Sequence, residues 1–424
     1  MTLRNLKINR YLIGLPILLL AIATGGCSVA GERGGRPESD SAIIADSIAD
    51  DLQELNDLTS IAYAYADSVL ASMPIERKAA MMLMPAVFSR ADRLNMRHIL
   101  NYTDSLGVGG LVLLKGSLTE AAQIADTIAS RGGPQIFLAV DAENGLRMRF
   151  PDAPEFPWNR ELGRLSDDQV MYEFGQEIAR ECRLIGINMV LGPVMDVVPG
   201  NGSNGLMRKR SLGSDPEKVA ELAIGYSRGI EDGNVISVAK HFPGHGSATQ
   251  DTHKSLGEIE SPRSVIDSID LYPFRRYVEE GLSGVMIGHL SVRALDSIRR
   301  PAVVSPVIMN EILRRKLGFN GLIITDALNM EGALGVSAWQ AIAAGADIVI
   351  APSDTRREIE ETVKAARRGD LSEDIITDRC RRILFYKYLL QSPRTHLPYS
   401  TLLKRVNELA PDVNASIRQS YSSD

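Results

Sequence analysis

The sequence predicts an α/β chain folded as a single (β/α)8 barrel. Three observations support this: eight short apolar runs, amphipathic stretches between them, and polar residues at the ends of the runs. The runs fall at residues 81–86, 110–114, 135–141, 188–192, 236–240, 285–289, 322–326 and 347–351. Apolar runs of this length, alternating with helices, call for parallel strands buried on both faces. The stretches 119–131, 167–185, 216–232 and 305–317 have helical spacing and supply the covering layer. Eight such units over this length suit a barrel. An open doubly wound sheet is the alternative, but it usually carries a Gly-x-Gly-x-x-Gly turn after its first strand, which this sequence lacks.

In chain order, Arg4, Lys7 and Arg10 precede an apolar run over 11–23 and then Thr24-Gly25-Gly26-Cys27. A basic end, a short greasy stretch and small residues make an export signal over 1–26. The run is shorter than the roughly 20 residues an ordinary membrane-crossing helix needs. Cys27 directly after two glycines resembles a bacterial lipoprotein cleavage site, with Thr24 where an aliphatic residue is usual. The expectation is an exported protein tethered through lipid on Cys27, on the periplasmic or cell-surface side. Simple secretion is the other reading. Residues 27–42 are polar and glycine-rich and read as a flexible linker. A helical pattern follows from about residue 43, the barrel domain spans 43–392, and 393–424 read as one helix and a tail. Cys182 and Cys380 lie in helix-like segments, where buried free thiols are the default and a disulfide is the alternative.

The chain has 424 residues and a net charge of −6, and is 44% hydrophobic and 24% charged. That composition excludes a disordered, collagen-like or polytopic membrane protein. The acidic balance excludes a general nucleic-acid binder, which needs a basic face.

The run ends carry the chemistry. Strands are expected to end at Asp141, at Lys240-His241, at His289 and at Asp326, so these groups share the rim where barrels keep their reactive residues. Three of the six histidines lie within residues 240–253, in a loop broken by Pro243, Gly244 and Gly246. A metal site from His241, His245, Asp251 and His253 is one reading, which the Lys240 cation opposes. Satisfied loop histidines are another. The third is acid/base work: Asp251 two residues from His253 can fix its tautomer and stabilise its protonated form. Asp326 at a strand tip can attack an electrophilic carbon. A carboxylate nucleophile and a proton shuttle are the parts retaining glycoside hydrolysis needs.

The segment Lys240-His241-Phe242-Pro243-Gly244-His245-Gly246, with Asp251-x-His253, resembles the signature of family 3 glycoside hydrolases, in the branch of β-N-acetylglucosaminidases. The resemblance continues in Asp141-Ala142-Glu143-Asn144-Gly145-Leu146-Arg147-Met148-Arg149-Phe150, in Arg210-Ser211-Leu212-Gly213-Ser214-Asp215-Pro216, in Gly321 to Met330, and in Ala343-Ala344-Gly345-Ala346-Asp347. It covers roughly residues 65 to 390. Asn144, Thr325 and Ala327 depart from the common pattern without removing a chemical group.

The resemblance implies Asp326 as nucleophile, His253 as general acid/base and Asp251 as its tuning partner. It implies Asp141 as acceptor of sugar hydroxyls, and Arg149, Arg210, Lys240 and His241 as grips on the remaining hydroxyls, with no metal and no cofactor. The function it implies is an exo-acting, retaining β-N-acetylglucosaminidase acting on muropeptides or other amino-sugar glycans, with cell-wall recycling as the setting. A β-glucosidase or N-acetylglucosaminide phosphorylase is the enzymatic alternative. A non-catalytic glycan-binding lipoprotein and a metal-dependent hydrolase are the others. Oligomeric state is not legible in the sequence.

Overall fold

The computed structural model describes residues 38–421, apart from 133–134, 200–204, 247, 249–255, 334 and 392–396. The sequence readings for the export signal, Cys27, Asp251 and His253 therefore lie outside the described residues.

The chain folds as an α/β domain around a curled sheet of parallel strands. Strands β1 (Leu83–Met84), β2 (Ala86–Ser89), β3 (Gly110–Gly116), β4 (Phe137–Val140), β5 (Met189–Val190), β6 (Ile236–Phe242), β8 (Gly284–Ile287), β10 (Leu322–Thr325) and β11 (Val349–Ile350) match the eight expected runs, Pro85 separating β1 from β2. A pair not anticipated from sequence, β7 (Gly257–Ile259) with β9 (Leu290–Val292), forms a separate parallel ribbon. The main sheet orders β10-β8-β6-β5-β4-β3-β2, every pairing parallel, while β1 pairs with β11. Every residue of β4, β6, β8 and β10 is buried. Continuous burial is what helices on one face and packed side chains on the other impose on a parallel strand.

Helix α1 (Glu38–Ala71) begins inside the segment read as linker. Two central helices, α2 (Asp168–Leu184) and α3 (Pro216–Asp232), have sequence-encoded starts. The Asp167 and Asp215 side chains accept from the N–H groups of Gln169 and Glu217, and Pro216 opens α3. They cross on glycines. A Cβ on Gly229 would lie 2.1 Å from the Tyr172 carbonyl oxygen, and one on Gly175 would lie 2.2 Å from that of Tyr226. That close approach delivers the Tyr226 hydroxyl to the Ala142 carbonyl at 2.5 Å, which pins the loop after β4 from below.

At the end where the strands begin, buried Asp347 accepts from Arg314 (2.6 Å), Arg382 (2.5 Å) and the Ile323 N–H (2.7 Å). It ties helix α4 (Glu373–Leu389) to β10. Cys182 in α2 and Cys380 in α4 are buried free thiols, as the default reading held. The C-terminal region differs from the expected single helix. It forms two, α5 (Tyr399–Val406) and α6 (Ala410–Gln419), broken at residues 407–409, and α6 packs against α2. No helix among the described residues is long and apolar enough to cross a membrane.

Candidate active site

Asp326 follows β10. Its N–H donates to the Ile287 carbonyl at 2.8 Å, which continues the strand pairing and brings the carboxylate out at the strands' C-terminal end. Oδ1 accepts from the Ala327 N–H at 2.8 Å. Among the described residues no donor bonds Oδ2. The Ala327 carbonyl in turn accepts from His289 Nε2 at 2.9 Å, so that ring carries a hydrogen on Nε2. Burial pushes the Asp326 carboxyl up, but His289, His241, the Ala327 N–H and Lys240 together outweigh it and hold the group below its ordinary value. Asp326 is thus ionised at neutral pH.

A cation–carboxylate network faces it. Lys240, 2% exposed near the end of β6, donates to Asp141 Oδ1 at 2.7 Å and lies 2.8 Å from Glu143 Oε1. Arg149 closes on the other oxygen of Asp141. Arg210 grips Glu143 with two parallel bonds of 2.9 and 2.7 Å, a fork geometry only guanidinium offers. Burial alone would raise both carboxyls. Lys240 and Arg149 instead hold Asp141 at about 2, and Arg210 with Lys240 hold Glu143 far below the usual carboxylate range.

Behind this layer sits Asp196, fully buried. It accepts from the backbone N–H groups of His245 (2.7 Å) and His241 (3.2 Å), and its other oxygen lies 2.7 Å from His241 Nδ1. His241 Nε2 meets Arg210 Nη2 at 3.3 Å. Guanidinium can only donate, so Nε2 accepts and Nδ1 carries the hydrogen. Asp196 therefore fixes the His241 tautomer, with its own carboxyl held low despite burial by His241 and His245. The Lys240–His241 and Phe242–Pro243 peptides are cis, and Lys240, His241 and His245 all line one pocket.

That pocket has a volume of about 390 Å³. Asp141, Arg149, Arg210, Lys240, His241 and Asp326 all line it, so six of the sequence-derived site residues converge. Sequence reasoning assigned no role to Glu143 or Asp196, and weighed His245 only as a metal ligand. Glu143 sits two residues past Asp141 and could have been read from that spacing. Asp196, an acid inside the apolar stretch 190–198, was the signal for a buried charge needing a partner. Among the described residues, no three His, Cys, Asp or Glu side chains cluster as metal ligands, and the His241 and His245 considered for a metal instead converge on Asp196.

The profile described as the glycosyl hydrolase family 3 N-terminal domain matches residues 75–385. The chain belongs to glycosyl hydrolase family 3. A β-hexosaminidase of Nitrosospira multiformis is 34% identical over 274 residues, covering 61% of this chain and 75% of that protein. One from Neisseria meningitidis serogroup A is 34% identical over 259 residues, 57% and 71% of the two chains. Among solved structures, a family 3 β-N-acetylglucosaminidase from Paenibacillus superposes with a TM-score of 0.68 at 25% identity, covering 80% of this chain and 69% of that one. A β-glucoside phosphorylase superposes at a TM-score of 0.76 over 85% of this chain and 67% of its own, but at 19% identity it shares the fold alone.

Proposed function

We propose that this family 3 glycoside hydrolase is a retaining, exo-acting β-N-acetylglucosaminidase that removes terminal N-acetylglucosamine from muropeptides or other amino-sugar glycans. The observation that carries the reading is Asp326: an ionised carboxylate on the pocket wall, one oxygen held by a backbone N–H and the other unbonded among the described residues. Asp141 and Glu143 are also ionised, but cations occupy them, so neither is suited to attack. The names of the relatives favour the same amino-sugar activity.

In this mechanism Asp326 attacks the anomeric carbon as His253 gives its proton to the departing glycosidic oxygen, forming a covalent glycosyl-enzyme. Water then attacks that carbon, His253 takes the water's proton, and Asp326 leaves with its electron pair restored. Asp251 orients His253. Asp141 accepts from sugar hydroxyls, and Arg149, Arg210, Lys240 and His241 hold the others. Electrostatics agree, because fixed cations around the pocket stabilise the anionic nucleophile without blocking it.

The architecture we infer is a closed (β/α)8 barrel. Its support is the bonding of β11 on both sides: Val349 N–H and Ala351 N–H donate to Met82 and Met84 carbonyls, and Thr325 N–H donates to the Ile348 carbonyl. The order Arg4, Lys7, Arg10, apolar run, Gly25-Gly26-Cys27 supports an exported, lipid-tethered protein acting on glycans outside the cytoplasm, in cell-wall recycling or in use of external glycans.

The test is release of nitrophenol from nitrophenyl N-acetyl-β-glucosaminide by the wild type and Asp326→Ala, with and without phosphate and with a chelator. We expect a loss of about 10⁴-fold or more in the variant, a first-formed sugar product of β configuration, no sugar-1-phosphate, and no chelator effect. Equal rates for the two proteins would end the proposal, and sugar-1-phosphate as product would replace hydrolysis by phosphorolysis.

A further inference from the structure

A second cavity, of about 640 Å³, lies at the opposite end of the sheet from Asp326. Met81, Val108 and Ile136, which line it, precede β1, β3 and β4, whereas the catalytic pocket is built from residues at and after strand ends. Its wall is mostly apolar, completed by side chains such as Met73, Ile128 and Leu384. Into it comes Lys387 of α4, 5% exposed. The ammonium sits over the Phe137 ring at 5.4 Å, and no carboxylate among the described residues pairs with it. A buried cation without a counter-ion is costly and uncommon. Asp104, the carboxylate on the cavity wall, is taken by Arg131 through bonds of 2.9 and 2.8 Å. Arg77 adds a further cation to the wall. The cavity thus combines an apolar hollow with excess positive charge, and what complements it is an apolar chain ending in one anion.

We propose that this cavity is a second ligand site, binding a single-chain amphiphile with a carboxylate head, the tail filling the apolar part and the head pairing with Lys387. The volume lies in the ordinary range for small-molecule sites. No part of the proposal depends on the glycosidase chemistry.

Burial pushes the Lys387 ammonium down to about 7. The charged groups lining the same cavity are Arg77, Arg131 and Asp104, and the titratable neighbour that acts on Lys387 is Cys380 of its own helix, whose thiol burial pushes up to about 12. A carboxylate binds the protonated amine, so affinity should be greatest below pH 7 and fall as pH rises above it. The experiment is calorimetric titration of the full chain with decanoate, kept below its micelle concentration, at pH 6 and pH 8.5, with decanol as the uncharged control. The expected result is one site for decanoate at pH 6, at least tenfold weaker at pH 8.5. Lys387→Met should weaken it tenfold or more while decanol binding stays. Met73→Trp, which fills the hollow and keeps the amine, should abolish both, and nitrophenyl glycoside hydrolysis should persist in both variants. Absence of decanoate binding, equal binding by Lys387→Met, or decanol binding as tightly as decanoate at pH 6 would each overturn the proposal.

Discussion

Replacing Asp196 with Asn tests whether a group outside the substrate pocket sets the chemistry inside it. Asp196 takes two backbone N–H groups on one oxygen, at 2.7 and 3.2 Å, and faces His241 Nδ1 with the other at 2.7 Å. An Asn of the same shape keeps its carbonyl for the backbone pair but presents an NH2 to Nδ1. If His241 keeps its hydrogen on Nδ1, two donors face each other. If the hydrogen moves to Nε2, the clash moves to Arg210 Nη2, 3.3 Å away. Either way one buried donor loses its acceptor, at about 1–3 kcal/mol, and two other bonds lose charge assistance at about 1 kcal/mol each. The sum is about 3–5 kcal/mol, a large share of a typical domain's 5–15 kcal/mol. Urea unfolding reads the stability loss. Where the variant remains folded, a displaced His241 should lower kcat/KM for the nitrophenyl N-acetylglucosaminide about 100-fold, since about 1.4 kcal/mol is a factor of ten. Nitrogen-15 NMR of the histidine ring reads the tautomer directly. An unchanged unfolding midpoint, together with kcat/KM within twofold of wild type, would refute the assignment.

Lys240→Met leaves Asp141 and Glu143 buried without their shared cation and should destabilise by about 3–5 kcal/mol, measured by urea unfolding. Asp141 is held at about 2, below its unfolded value near 4, so its stabilisation is complete above that value and is lost as pH falls from about 4 towards 2. Acid titration of Lys240→Met should show a weaker loss in that window. Asp347→Asn removes the charge that holds Arg314 and Arg382, and should cost about 3–5 kcal/mol while leaving KM within twofold. Lys387→Met should be more stable than wild type by roughly 3–5 kcal/mol at pH 6–7, the cost of a lysine lowered to about 7 from about 10.4. Between pH 7 and 10 the unfolded lysine holds the proton that the folded one lacks. Wild-type stability should therefore rise through that window, measured by thermal unfolding at each pH, and the gap to the variant should close.

Much of this was legible because parallel strands leave a coarse mark. Each expected run from 81–86 to 347–351 contains an observed strand, since double-sided burial demands an unbroken apolar run. The polar caps on those runs were equally readable: Asp141, Lys240, His241 and Asp326 stand where the pattern placed them. The β7–β9 ribbon was not legible, because three-residue strands carry too little periodicity. The second C-terminal helix was missed because the break at residues 407–409 contains neither glycine nor proline. Asp196 was missed for a different reason. Its role is to hold His241 and His245, and its separation of 45 residues from the first is a property of the fold and not of local spacing.

The allocation of charge explains why the site needs several carboxylates to deploy one. Asp141, Glu143 and Asp326 line the same pocket with Arg149, Arg210 and Lys240, three acids against three bases. Were the charges spread evenly, Asp326 would be ion-paired and its lone pairs engaged. Instead Lys240 bridges Asp141 and Glu143, and each arginine closes on one of them, so all three cations are held by direct contacts to the other two acids. Asp326 receives the field of His289, His241 and Lys240 through space. Field without contact keeps a carboxylate ionised while leaving an oxygen open to a substrate carbon, whereas a direct salt bridge would supply ionisation and block attack together. By the same reasoning Asp141 and Glu143 serve as counter-ions first, and in the mechanism proposed above the free lone pairs of Asp141 accept sugar hydroxyls second.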